Sequence, residues 1–197
     1  QTISGDFAFE EHGTGDNRQV VLGLNNVATT IEAGPLSVEA SEGMGAFLLQ
    51  STGVAGVATV GEVNLIGVPG VSLNVVDLAI RVNNTGGDVN DGEADPGPIT
   101  IDVGGETIAF EFTGPAEHQH LSVAGSAELV ITDFVNLNGD FTIERSQLDT
   151  NADTIVEDVL KVGVESLNFT LSAGSLEVLS FSDGSGAFVF TDEGVAG

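Results

Sequence analysis

Two acidic stretches carry the residue types and the spacing for cation chemistry. In "DTNAD", residues 149–153, Asp149, Asn151 and Asp153 alternate. Calcium loops begin this way, because alternate oxygen-bearing side chains converge on one hard cation. Thr154 stands where such loops use Gly, and the twelfth position is Leu160 instead of a bidentate Glu. Glu157 and Asp158 then have to complete the ligand set. The stretch "NNTGGDVNDGEADPG", residues 83–97, offers Asp88, Asn90, Asp91, Glu93 and Asp95, with Gly92 free to turn. A third stretch, 10–17, is thinner, with Glu11, Asp16 and Asn17. The expected ligands of Ca2+ are Asp149, Asn151, Asp153, Glu157 and Asp158 in one site, and Asp88, Asn90, Asp91 and Asp95 in the other. The plainer reading is a set of solvated turns, since Asp, Asn and Gly are turn formers.

Other groups point less sharply. His118 and His120 share a face if their segment is a strand, but no third ligand follows at a persuasive spacing, so exposed histidines are the expectation. Asn83-Asn84-Thr85 and Asn168-Phe169-Thr170 have the glycosylation spacing, which arises readily by chance. Arg81 and Arg145 each precede an acidic stretch and are placed to tether a carboxylate or a loop carbonyl. No nucleophile elbow, phosphate loop or dinucleotide fingerprint occurs. Carboxylates are so numerous that no pair stands out for acid/base work, and no enzymatic activity is expected.

The charge balance narrows the partners. Lys and Arg total 4 against 30 Asp and Glu, a formal net charge of −26. Such a surface repels phosphate backbones and anionic lipid and suits cations, so neither nucleic acid nor membrane insertion is expected. Cys is absent, which excludes disulfides and thiolate metal sites. No apolar run approaches the ~20 residues of a spanning helix. The chain opens on Gln1, and the expectation is a mature form or an excised piece of a longer protein. Trp and Tyr are both absent, which counts against a sugar-stacking platform.

The elements that must hold these groups read as strands. "VSLNVVDLAIRV" alternates through Leu73 and Val75, then through Leu78, Ile80 and Val82. That parity switch predicts a bulge. "ITIDVGGETIAFEF" predicts a hairpin turning at Gly104-Gly105. Residues 153–167 are the nearest helical candidate, but β-branched residues and Gly163 favour a strand. "AFLLQ", residues 46–50, is apolar on both faces and belongs centrally in a sheet. The chain also says things twice. "GDFAFEE" (5–11) returns as "GDFTIER" (139–145), and residues 32–56 return as 172–197, at separations of about 135 to 140 residues. Fainter matches, 71–80 with 135–143, 45–53 with 108–114 and 61–65 with 126–130, suggest units of about 65 residues.

The expected fold is all-β, an elongated and mostly antiparallel array of degenerate units, either stacked sheets or a superhelical sheet. The expected division is 1–18 as the end of one unit, 19–97 as a second, 98–154 as a third and 155–197 as the start of a fourth, cut from a longer array. The pattern is similar to the tandem β-repeat regions of giant secreted or surface-attached, adhesin-like bacterial proteins, through "SGDFAFE" (4–10) and "GVPGVSL" (67–73). That resemblance implies an extracellular or cell-surface location and partners among neighbouring repeats or copies of itself. The expected role is a filament, stalk or sheath stiffened by Ca2+. The alternative is a calcium-dependent adhesin domain that binds a glycan or a surface.

Overall fold

The computed structural model describes residues 1–12, 18–92, 96–148, 157–191 and 194–197. The period-two alternation produces strands throughout: β1 (Thr2–His12), β2 (Gln19–Ala33), β3 (Leu36–Gln50), β4 (Gly53–Ile66), β5 (Val71–Asn83), β6 (Ile99–Val103), β7 (Glu106–Phe110), β8 (His120–Ile131), β9 (Val135–Leu148), β10 (Glu157–Ala173), β11 (Leu176–Thr191) and β12 (Gly194–Ala196). Ten of them form one sheet in chain order, from β1 to β5 and then from β8 to β12, and each neighbouring pair is antiparallel. β6 and β7 make a separate hairpin. It turns at Gly104 and Gly105, whose φ values of 60° and 88° suit a residue without Cβ. The protein is all-β and antiparallel.

Bulges interrupt the ladders in a regular way. Asp77 has φ 52°, and the register of β5 against β8 slips between Val76 and Ala79, opposite Gly125. Gly5 of β1 meets a similar slip in β2, where Asn26 has φ 50°. Gly139 of β9 meets one in β10, where Ser166 has φ 53°. A Cβ at Gly5 would touch the Val27 backbone at 2.9 Å, and one at Gly139 would touch that of Glu165 at 3.1 Å. The stretches 5–11 and 139–145 thus share a backbone setting: a glycine facing a bulge, then unbroken pairing to the same strand end. Other backbone exceptions recur at the same spacing of about 140 residues: Glu42 with Asp183, Gly34 with Gly174 and Gly53 with Gly194. Of the fainter sequence matches, 45–53 begins in β3 of the main sheet, whereas 108–114 begins in the separate hairpin.

The pairing defines two unlike faces. β8 and β9 pair without a slip from Leu121↔Arg145 to Ile131↔Val135, so their odd-numbered residues share one side. On that side an apolar row crosses nine strands: Phe7, Leu24, Gly45, Ala58, Ile80, Val123, Ile143, Val162 and Phe188. A second row crosses eight, running through Ile31, Val38, Leu65, Leu73, Leu129, Leu137, Phe169 and Phe181. On the other side, over the half of the sheet reached by the second row, runs a polar row. There Asn74 donates to Glu62 and Asn64, and Asn168 donates to Asn138.

The core lies on this second side, beyond the polar row, under the hairpin. Ala8, Gly23, Ala46 and Ala55 leave a shallow bed of small residues on β1 to β4. Ile101, Val103, Ile108, Phe110 and Phe112 fill it together with Val21, Leu48 and Val89. Ile101 packs within 3.1 Å of the place a Cβ of Gly23 would occupy. Aliphatic and aromatic side chains of this size contribute about 1.5–3 kcal/mol each when fully buried, which holds the inserted hairpin on the sheet.

Candidate functional site

β1, β5 and β9 run in the same direction, because each is two or four antiparallel steps from the next. Their C-terminal ends, at His12, Asn83 and Leu148, therefore lie at one end of the sheet. The three acidic stretches leave from that end. Asp149, Asn151, Asp153 and Asp95 lie outside the described residues.

The stretch after β5 is organised by Asn83, which is fully buried. Its Nδ2 donates to the carbonyls of Gly87 and Glu117, both at 2.9 Å. Its Oδ1 accepts from Thr85 N at 3.0 Å and Thr85 Oγ1 at 2.7 Å. With both ends of the amide engaged and enclosed, Asn83 is no glycosylation acceptor. Asp88 then accepts from Gly114 N and meets His118 Nε2, each at 2.8 Å. The bond from His118, followed by that from Gly114, holds the Asp88 carboxyl below its ordinary pKa. Val89 and Phe112 exchange backbone hydrogen bonds of 2.8 and 2.9 Å. Asn90 Oδ1 accepts from Gly92 N, and Asp91 Oδ1 accepts from Gly97 N.

Asn90 and Asp91 line a cavity of about 350 Å³ with Glu10, Gln19, Pro98 and Thr100. Asp88 does not line it, so the structure brings two of the predicted ligands together and engages the third elsewhere. Glu10 joins them from β1. The sequence pointed instead to its neighbour Glu11, which pairs with Arg18 at 2.8 Å. Strand alternation was the available signal, since it puts Glu10 on the same side as Ala8, facing the hairpin.

At the far side of the end, Asp158 accepts from Arg145 at 2.8 Å and from Gln147 at 3.3 Å. These bonds, Arg145 first, lower its pKa. Glu157 and Asp158 are consecutive in β10, so their side chains leave opposite faces of the sheet. Lys161 bonds Glu144 at 2.8 Å and lowers its pKa in turn. Arg81 is held by Glu117 at 3.0 Å and by the carbonyl of Glu111, with its guanidinium 4.7 Å from the Phe112 ring centre. All 4 Lys and Arg are thus engaged with carboxylates.

His118 and His120 do not act as a pair on one strand face. Residues 118 and 119 form a turn in which Gln119 has φ 54°, and only His120 enters β8. His118 meets Asp88, whereas the His120 ring lies 6.4 Å from that of Phe112. Among the described residues, no group of three or more His, Asp or Glu is gathered closely enough to hold a metal ion. Also among the described residues, no helix is long and apolar enough to cross a membrane.

A pH dependence follows from the three held carboxylates. Asp88, Asp158 and Glu144 titrate lower when folded than when unfolded, so their contribution is complete above the unfolded value of about 4 and is lost as pH falls through the folded values. The contribution of these three pairs should therefore be level from pH 7 to about pH 5 and fall below about pH 4. The urea midpoint against pH measures this. A midpoint that does not fall as the pH is lowered from about 5 to about 3 would show that the three pairs contribute nothing.

No protein family, curated protein or solved structure matches this chain.

Proposed function

We propose that the chain is a segment of a long extracellular or cell-surface repetitive protein that serves as a filament, stalk or sheath. The observation that carries this reading is the recurrence of glycines facing bulges, of left-handed residues and of turn glycines at spacings of 134 to 141 residues along a single sheet. A sheet that grows by adding equivalent strands in chain order extends along one axis, as repeat architectures do. The four segments 1–18, 19–97, 98–154 and 155–197 are the proposed units. Its working partners are neighbouring units or other copies of the chain, and no catalytic step is assigned. Negative-stain imaging of the native protein tests the reading: thin, extended particles are expected, and compact single particles would overturn it.

Ca2+ is the proposed stiffening ion. Asp149, Asn151 and Asp153, with Glu157 and Asp158 as further candidates, would contribute in one stretch, and Asn90 and Asp91, with Asp88 and Asp95 as further candidates, in another. The ion supplies the positive charge that 4 Lys and Arg cannot supply against 30 carboxylates. At a hundredfold excess over Kd, one site adds about 2.7 kcal/mol. For a domain near 200 residues that is a rise of roughly 5–10 °C in Tm. Calorimetry in millimolar calcium against chelator checks it, and an unchanged midpoint would remove calcium from the account. Calcium-dependent binding on a glycan array would favour the adhesin alternative.

A further inference from the structure

We propose that the apolar face of the ten-stranded sheet is a self-association surface, closed in solution by the same face of a second copy of the chain. Among the described residues, every fully buried hydrophobic side chain except Val159 belongs to the cluster under the hairpin, on the opposite side. Among the described residues, none covers the apolar side. Phe9 is 69% exposed, Phe7 46%, Leu73 36% and Phe181 46%.

The area involved suits a stable dimer. The chain exposes 11573 Å², whereas a compact monomer of its mass exposes about 8,700 Å². The excess of about 2,900 Å² per chain is shared by the two open sides of the sheet, and about half of it still exceeds the roughly 800 Å² per partner of a standard interface. The nine strands of 11 to 17 residues, spaced about 4.8 Å apart, give a face roughly 40 by 45 Å. Two such faces pack about 10 Å apart, with strands within about 30° of parallel, as the sheets of a sandwich do.

The apolar rows of the face carry no charge that would oppose a second copy, despite the net charge of −26. The two apolar rows contain no ionisable residue, although the chain carries 30 carboxylates. The next row toward the acidic end has Arg145, already bonded to Asp158. A face-to-face pair therefore keeps the polar row, with Glu62 and Glu128, on its outer surfaces. A second copy matches the face in size and in apolar character. This inference stands on the uncovered face alone and does not depend on the filament reading.

Sedimentation velocity of this chain at 0.15 M salt tests it, from about 1 to about 100 µM. The expected mass at the upper end is twice 20.1 kDa. Replacing Leu73→Lys together with Phe181→Lys should weaken association by roughly two orders of magnitude or more. Glu128→Lys with Ser180→Lys, on the other face, should leave it intact. Circular dichroism reports whether the variants fold, and the wild-type dilution series decides the question without any substitution. A mass that stays at 20.1 kDa at the highest concentration would overturn the proposal. So would a dimer indifferent to the Leu73 and Phe181 changes, or a monomer that floats with neutral phosphatidylcholine vesicles. A monomeric segment from a parent protein that images as extended particles would overturn this inference and leave the filament reading in place.

Discussion

Replacing Phe112 with alanine should cost about 3–5 kcal/mol, the range for removing a fully enclosed aromatic ring. The ring is completely buried. It stands edge-on to Phe110 at 6.5 Å and lies under the Arg81 guanidinium at 4.7 Å. Its backbone also forms the bridge to Val89 that ties the inserted segment together. The substitution would open a cavity between hairpin and sheet, remove the cation–π contact and loosen the neighbourhood of Asn83. Urea unfolding measures the loss, and hydrogen exchange should show β6 and β7 losing protection before β8 and β9. Phe134, in the turn before β9 and 59% exposed, is the control: its alanine variant should stay within about 0.5 kcal/mol of wild type. Equal midpoints for the two variants would mean that the hairpin is not held by its buried ring.

The location of that ring was not legible in the sequence, and the reason is physical. A period of two tells which residues share a face of a strand, but not what comes to lie on that face. Residues 99–110 were readable as a hairpin, because Gly-Gly permits the turn and the arms alternate. That this hairpin folds back over Ala8, Gly23, Ala46 and Ala55 depends on a bed of small side chains spread over four strands. No local pattern contains that bed. The switch from Val75 to Leu78 announced its bulge, since an apolar residue that changes parity within one strand requires an extra residue. It did not announce that Gly125 would face that bulge from a strand some 50 residues later.

The candidate ligands show the same limit. Oxygen density at residues 88–95 was plain from composition. Which oxygens face one another was decided by contacts made elsewhere: Gly114 and His118 take Asp88, Gly97 takes Asp91, and alternation along β1 brings Glu10 instead of Glu11 to the cavity. Likewise, Asn83 looked like a loop residue within a sequon. Its burial comes from Gly87 and Glu117 closing over it, and Glu117 is about 35 residues away.

A glycine-to-alanine pair separates close strand packing from mere absence of a side chain. At Gly56 a Cβ would run into the Ala46 carbonyl oxygen, the Phe47 ring at 2.6 Å and the Phe47 Cα at 2.8 Å. Two of these three obstacles are backbone, so relief requires β3 and β4 to separate where they are tightly paired, at Phe47↔Gly56. Phe47 lies across the glycine and covers it, an arrangement that aromatic residues favour beside glycine in sheets. Overpacking of this kind costs about 1–3 kcal/mol, and the upper end is expected for Gly56→Ala because turning the Phe47 ring away leaves both backbone clashes in place. At Gly163 the nearest atom to an added Cβ is Thr142 Cβ at 3.9 Å, an ordinary contact. There alanine narrows the unfolded ensemble without strain, so Gly163→Ala should be neutral or stabilising by up to about 1 kcal/mol. Urea midpoints of the two variants should therefore move in opposite directions, or one should move while the other stays. Equal shifts would mean that the approach of β3 to β4 at Gly56 is looser than described, and that this strand pair does not depend on the missing side chain.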